Sequence, residues 1–102
     1  MKTVKINGQD FKVKYTIRAL FIFEQITKKT FKIDSLMDNY IFFFSILLAN
    51  NPDNKLSWDE FCDALDADPS IFVKMSEIIV EEQKKQEVFM SEEEKEDNEK
   101  KS

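Results

Sequence analysis

The chain has 102 residues with 15 basic and 20 acidic side chains, a net charge of −5, no histidine and one glycine. The negative charge disfavours DNA and anionic membranes as partners, because both require a positively charged surface. Without histidine the commonest general base and transition-metal ligand is missing, and a single glycine leaves no phosphate-binding loop, so we expect no catalytic, cofactor or metal site.

Residues 2–15 predict a β-hairpin. Its two strands alternate polar residues with apolar ones, which are Val4, Ile6, Phe11, Val13 and Tyr15. Asn7-Gly8 is the strongest short hairpin signal, because a type I′ turn requires φ > 0 at both central residues. A longer loop from Asn7 to Asp10 would also close the hairpin, and both registers keep the apolar side chains on one face. A two-stranded hairpin is marginal alone, so we expect helices to cover that face.

A helix is predicted from Ile17 to about Lys28, with Thr16 as its N-cap. The residues expected to form one apolar face are Leu20, Phe23, Ile26 and Thr27, with Ile17 and Phe21 beside that face. No glycine follows this helix, so a non-glycine residue has to make the terminal turn. If that turn is left-handed, it costs about 1 kcal/mol.

Residues 40–49 predict the central helix of the fold. Nine of these ten residues are apolar, and the pattern extends back through Leu36 and Met37 without glycine or proline. A run of this length exceeds most strands, so it indicates a helix buried nearly all round. It is too short for a bilayer, which needs roughly 20 apolar residues. Asp34 is predicted to cap a first turn at residues 35–37, and Asp38 to cap or restart the main helix. Pro52 predicts its end.

Two more helices follow. Ser57 and Glu60 form a capping box for the third, and Asp68 with Pro69 at the first helical position opens the fourth. The apolar stripe of the fourth helix is Ile71, Phe72, Met75, Ile78 and Ile79. The sequence therefore predicts an α+β fold, in which an N-terminal antiparallel β-hairpin packs on a bundle of about four helices around a central apolar helix.

Residues 1–90 are predicted to form a single globular domain. Residues 91–102 contain no apolar side chain and are predicted to be a charged, disordered tail. Cys62 is the only cysteine, which excludes an internal disulfide and agrees with a reducing, cytoplasmic compartment. We expect its thiol to be buried and inert.

Residues 49–60 have the spacing of an EF-hand loop. Ala49 stands where the first acidic ligand is needed, and Asn54 stands where glycine is usual, so we expect a solvated loop followed by a capping box. Five acidic residues lie close together here: Asp59, Glu60, Asp63, Asp66 and Asp68. They predict either a solvated helix face or a surface for a basic partner.

Five stretches in a fixed order resemble a known family. They are Val4–Phe11 in the hairpin, Ile17–Leu20 and Phe23–Thr27 in the first helix, Thr30-Phe31 before the apolar helix, and Leu56–Glu60 at the start of a later one. Over residues 2 to about 80 the chain resembles the small tail assembly chaperones of long-tailed bacteriophages and prophages. Lys28 stands where such sequences usually have glycine in a Thr-Gly-Lys turn.

The resemblance implies a non-enzymatic protein of the host cytoplasm. Such chaperones bind the tape-measure protein, keep its long hydrophobic helices soluble and help to recruit tail-tube subunits; whether this chain also forms homo-oligomers stays open. A partner helix would lie in an apolar groove. The residues expected to contact it are Phe72, Met75, Ile79, Val88, Phe89 and Met90. The alternative is that these residues only close the monomer's own core.

Three other functions remain as alternatives at this point. The first is a non-catalytic structural or adaptor protein of a phage or mobile element, acting as an oligomer. The second is a degenerate calcium-binding module, and the weakest is a small enzyme. A neighbouring tape-measure gene would favour the chaperone over the adaptor.

Overall fold

The computed structural model describes residues 2–84, which form an α+β fold of one hairpin and four helices. This confirms the predicted fold class. The elements are β1 (Lys2–Ile6), β2 (Gln9–Val13), α1 (Ile17–Thr27), α2 (Leu36–Asn50), α3 (Trp58–Ala67) and α4 (70–84). The predicted apolar segment at 88–90 and the predicted disordered tail lie outside the described residues.

The hairpin has the tight turn that Asn7-Gly8 predicts. Ile6 pairs with Gln9, which leaves two residues in the loop and rules out the longer alternative. Asn7 has φ 53° and Gly8 has φ 79°, the positive values of a type I′ turn. The inward side chains of both strands are buried: Val4, Ile6, Phe11 and Val13.

Helix α1 begins and ends as predicted, but its apolar face was predicted wrongly in part. The Thr16 hydroxyl accepts a hydrogen bond from the Ala19 N–H at 3.2 Å. Lys28 has φ 60° and ψ 28°, so a non-glycine residue does make the left-handed terminal turn. Ile26 is exposed, and so are Ile17 and Phe21, which were expected beside the apolar face. The buried face of the helix is instead centred on Ala19 and Phe23.

Helix α2 occupies the centre of the structure. Its residues 42–47 are six consecutive buried positions, which confirms burial nearly all round. No helix in the described part of the chain, residues 2–84, combines the length and apolarity needed to cross a membrane.

Helices α1 and α3 pack on opposite sides of α2. The Phe42 ring lies near those of Phe23 and Phe31, with centroid distances of 6.5 and 5.1 Å. The Phe44 ring packs against Trp58 and Phe61 of α3, at 5.4 and 5.5 Å. Two residues turn an α-helix by about 200°, so α1 and α3 face away from each other across α2.

The first turn of α2 is capped differently from the prediction. Ser35, not Asp34, is the N-cap, and its hydroxyl accepts from the Asp38 N–H at 3.1 Å. The buried Asp38 carboxylate reaches back and accepts from the Asp34 N–H at 2.9 Å and from the Lys29 ammonium at 2.8 Å. With Ser35 as the N-cap, the Asp38 carboxylate accepts from the N–H of Asp34, the residue before the cap. This pair of reciprocal hydrogen bonds resembles a capping box.

The last turn of α2 is joined to the hairpin by Asn51. Its side-chain amide donates to the carbonyl of Lys12 at 3.0 Å and to that of Leu47 at 2.9 Å, and its oxygen accepts from the Lys12 N–H at 2.8 Å. Asn51 is buried, so these bonds fix β2 over the C-terminal end of α2.

The remaining caps agree with the sequence. Both hydrogen bonds of the Ser57–Glu60 capping box are present. Asp68 accepts from the Ser70 N–H at 3.1 Å, and Pro69 immediately precedes the first residue of α4. The predicted stripe of α4 faces the core.

Candidate partner-binding groove

The N-terminal end of α2, helix α3 and the first turns of α4 enclose a groove of about 770 Å³. We call it the α3 groove. Asp66 is the one charged residue among those that line it. The lining residues are Leu36, Met37, Tyr40, Trp58, Cys62, Leu65, Asp66, Pro69, Phe72 and Val73.

Aromatic contacts set the shape of the α3 groove. The Phe72 ring lies 4.9 Å from the ring of Tyr40 and 4.9 Å from that of Phe43, so it joins α4 to α2. The Trp58 ring packs edge-on against Phe44 at the start of α3. These large rings hold the helices together at the floor of the groove, and each ring pair adds about 0.5–1.5 kcal/mol beyond its buried area.

Three apolar side chains at the edges of the α3 groove stay in contact with water. Leu36 and Met37 belong to the first turn of α2, and Val73 belongs to the first turns of α4. All three are exposed, whereas Tyr40 and Phe72 below them are half-buried. The groove therefore offers a continuous apolar surface, and covering it would be favourable.

Acidic side chains border the α3 groove on the side of α3. Asp59, Asp63 and Asp66 follow one another at the spacing of helical turns, and all are exposed. Burial raises the pKa of the Cys62 thiol, and the carboxylates of Asp59, Asp66 and Asp63 raise it further. Cys62 is half-buried rather than buried as expected, and the surrounding negative charge disfavours its thiolate.

The six predicted contact residues fall into three groups. Phe72 lines the α3 groove. Met75 and Ile79 are buried in the monomer's own core, as the alternative interpretation expected, so their side chains offer no surface to a partner. Val88, Phe89 and Met90 lie outside the described residues.

Sequence reasoning missed most of the groove. Leu36, Met37 and Tyr40 were assigned to the central buried helix. Leu36 and Met37 are exposed and precede the buried residues 42–47 on the same helix. No nearby residue in the sequence indicates that the other helices stop covering α2 at this point. Only the path of α3 and α4 leaves this end of α2 open.

Other polar candidates carry structural hydrogen bonds. Asn51 binds the hairpin backbone, the Glu60 carboxylate accepts from the Ser57 N–H at 3.1 Å, and the Glu24 carboxylate accepts from the Phe31 N–H at 2.7 Å. Within residues 2–84, no three His, Cys, Asp or Glu side chains are grouped so that they could hold a metal ion.

Comparison of the chain with protein families, with characterised proteins and with solved structures finds no match. The α3 groove and the chemistry of its border are therefore the features that bear on function.

Proposed function

We propose that this chain is a phage or prophage tail assembly chaperone, and that the α3 groove binds an amphipathic helix of the tape-measure protein. The observation that supports this most directly is the exposed apolar surface of Leu36, Met37 and Val73 over a floor of aromatic rings. A partner with long apolar helices would aggregate in water, and binding the apolar face of such a helix in the groove would keep the partner soluble.

The residue types in the groove suit a partner with many similar helices. Met37 is unbranched and adapts to differently shaped neighbours, and the half-buried rings of Tyr40, Trp58 and Phe72 offer large apolar areas. Surfaces of this kind bind a range of amphipathic helices rather than one sequence. That property agrees with a chaperone that meets many segments of one long protein.

The backbone at Lys28 supports the resemblance to the tail assembly chaperones. Lys28 adopts the left-handed conformation at the position where such sequences usually have glycine. Glycine is the residue that takes this conformation without steric cost. A left-handed turn at this position would therefore be shared by this chain and by those chaperones, with lysine in place of glycine here.

Binding rather than catalysis is the proposed activity. The Cys62 thiol is the one thiol in the groove, and its raised pKa keeps it protonated. The bound state would hold the tape-measure helices in the host cytoplasm until tail-tube subunits are recruited.

Co-expression with the tape-measure protein of the neighbouring gene tests this proposal. Val73 lies in the groove and Val80 lies two turns further along α4 outside it, with exposed fractions of 54% and 47%. We expect the wild-type chain and Val80→Asp to co-purify with the soluble partner, and Val73→Asp to lose it, because a carboxylate would be buried at the contact.

Equal binding by Val73→Asp and Val80→Asp would show that the groove is not the site. A partner that stays insoluble with every form of the chain would contradict the chaperone function itself. The absence of a tape-measure gene beside this one would favour the oligomeric adaptor instead.

A further inference from the structure

The two strands of the hairpin both present backbone groups at their outer edges. Ile6 and Gln9 flank the two-residue turn and form a hydrogen-bonded pair, and such pairs alternate with open pairs along an antiparallel ladder. Thr3 on β1 and Lys12 on β2 form an open pair, so the N–H and carbonyl of each point away from the other strand. Lys5 lies two residues after Thr3, and its backbone groups point outwards in the same way.

In the described part of the chain, the two edges of the hairpin are covered differently. The Asn51 side chain bonds both outward backbone groups of Lys12, so the β2 edge is closed. Within residues 2–84, no hydrogen bond from another element reaches the outward groups of Thr3 and Lys5. A row of unpaired backbone groups is a template on which a further strand can pair.

A second groove lies beside the open edge of β1. It has a volume of about 580 Å³ and is formed by the first residue of β1 and one side of α4. We call it the β1 groove. Val80 in this groove is an apolar residue in contact with water, so covering it would be favourable. The lining residues are Lys2, Ser76, Glu77, Ile78, Val80 and Glu81.

The chain leaves the described structure next to the β1 groove. The Glu81 carboxylate binds the Lys2 ammonium, and the Glu82 carboxylate accepts from the Tyr15 N–H. The last turn of α4 therefore lies against the end of the hairpin at which β1 begins and β2 ends. Whatever follows α4 starts beside the open edge.

Residues 85–102 follow the described part of α4 and contain one apolar segment, Val88-Phe89-Met90. This segment begins four residues after Lys84, and four residues span at most about 14 Å. The β1 groove includes Glu81, less than one helical turn before Lys84, so the apolar segment is within reach of it.

The hairpin and the chain after α4 carry opposite charges. Residues 87–99 contain seven acidic side chains and one lysine. Residues 2–14 contain one acidic side chain and four exposed lysines, which are Lys2, Lys5, Lys12 and Lys14. Opposite charges of this kind attract the two regions to each other and disfavour other orientations.

We propose that residues 87–91 dock as a third strand on the open edge of β1 in the same molecule. This five-residue segment has the length of β1, and its backbone would pair with the outward groups of Thr3 and Lys5. Its apolar side chains would cover Val80 in the β1 groove. The acidic residues from Glu92 onwards would then lie near the exposed lysines of the hairpin.

This contact would close the sheet within one chain. Open strand edges favour pairing between molecules, so a segment that fills the edge also prevents it. The inference assigns Val88, Phe89 and Met90 to the molecule's own sheet edge rather than to a partner. It does not depend on the proposed function, because other residues line the α3 groove, so its failure would leave the chaperone proposal standing.

Amide hydrogen exchange of the purified full chain, followed by NMR, is the first measurement. It is compared with a full-length serine variant that combines Val88→Ser, Phe89→Ser and Met90→Ser. We expect the N–H groups of Thr3 and Lys5 to exchange at least tenfold faster in the serine variant, because the docked strand would be lost. Equal exchange in the two proteins would overturn the proposal.

Two controls accompany the serine variant. The Lys12 N–H should keep its protection in it, because Asn51 accepts from that group whether or not the third strand docks. A conservative variant that combines Val88→Ile, Phe89→Leu and Met90→Leu retains the apolar segment and should protect the β1 edge like the wild type. Loss of protection in the conservative variant as well would contradict docking through an apolar contact.

Substitutions in the two grooves test the other side of the contact. Val80→Asp places a carboxylate in the β1 groove, whereas Val73→Asp places one in the α3 groove. The Lys5 N–H should exchange at least tenfold faster in Val80→Asp and should be unchanged in Val73→Asp. The opposite order is expected for tape-measure binding, so the two proposals can fail separately. An equal response of Lys5 to both substitutions would overturn this one.

Salt and protein concentration complete the test. Raising the salt from roughly 0.1 M to 1 M shortens the screening length from about 10 Å to 3 Å, so exchange of the Thr3 and Lys5 N–H groups should become faster. Their protection should not change with protein concentration, because the docked segment belongs to the same chain. Protection that rises with concentration would place a second copy on the edge and overturn the proposal.

Discussion

The two ends of helix α2 both carry large apolar side chains but have opposite surroundings. Its C-terminal end carries Ile46 and Leu47, which are buried in the core, and Asn51 ties that end to β2. Its N-terminal end carries Leu36 and Met37, which remain exposed at the α3 groove. Both ends belong to one apolar stretch, so hydrophobicity alone does not decide which part of it becomes core.

The two ends of α2 therefore separate residues that stabilise the monomer from residues that are available to bind a partner. Substitutions at the covered end remove contacts that the monomer needs, whereas substitutions at the open end change a surface on which the monomer does not depend. The following three experiments test this division, from the largest expected effect to the smallest.

Two leucines on the same helix give the sharpest test. Leu47 is 1% exposed and Leu36 is 67% exposed. We expect Leu47→Ala to lower the free energy of unfolding by about 3 kcal/mol, because it leaves a cavity in a packed core. The same change at Leu36 should cost less than about 0.5 kcal/mol.

Urea denaturation of both leucine variants measures these free energies, and pull-down with the partner measures binding. Leu36→Ala should weaken binding while Leu47→Ala, at a temperature where it is folded, should not. Equal losses of stability at the two positions would mean that the N-terminal end of α2 is part of the core after all.

Two adjacent asparagines test the covered end by its hydrogen bonds. Asn51 is buried and bonds both backbone groups of Lys12, whereas the half-buried Asn50 donates to the carbonyls of Lys14 and Ile46 at 2.8 Å each. Asn51→Ala should lower the free energy of unfolding by about 2 kcal/mol. The N–H and the carbonyl of Lys12 would lose their hydrogen-bond partners at a site that is shielded from water. Asn50→Ala should cost about half as much.

Amide hydrogen exchange of the hairpin separates these two asparagine variants further. The Lys12 N–H should exchange faster in Asn51→Ala than in Asn50→Ala, because only Asn51 accepts from it. Unchanged protection at Lys12 would show that side-chain packing, rather than the amide, holds the hairpin on α2.

Acid should affect the open end of α2 more than the covered end. The hydrogen bond from Lys29 and the N–H of Asp34 hold the pKa of the buried Asp38 carboxyl below its usual value of 3.8. A lowered folded-state pKa gives stability that is present above the unfolded pKa and is lost as the pH falls through the folded value. The amide of Asn51 at the other end does not titrate.

Unfolding midpoints measured from pH 7 down to about pH 2 test this difference. The wild type should lose stability below about pH 4, and Asp38→Asn should be less stable at pH 7 but change less with acid. Hydrogen exchange at low pH should increase first in the initial turn of α2. An acid response of equal size in Asp38→Asn would assign it to other carboxylates.

Local signals predicted the elements of this protein well, because each depends on a few neighbouring residues. The Asn7-Gly8 turn, the Thr16 cap, the Ser57–Glu60 box and the Asp68-Pro69 start are all present. The cap of α2 was misplaced by one residue. Asp34 and Ser35 are both good caps, and the hydrogen bonds to Asp38 decide between them.

The amino-acid sequence by itself determined the fold class, the central apolar helix and the caps at Thr16 and Ser57, because periodicity and capping are properties of short segments. Only the tertiary structure decided which apolar residues stay in water. Met75 is buried in the core and Leu36 is exposed, because burial depends on how helices that are far apart in the sequence pack against each other. The α3 groove lies where α2, α3 and α4 separate, so no local pattern in the chain could have predicted it.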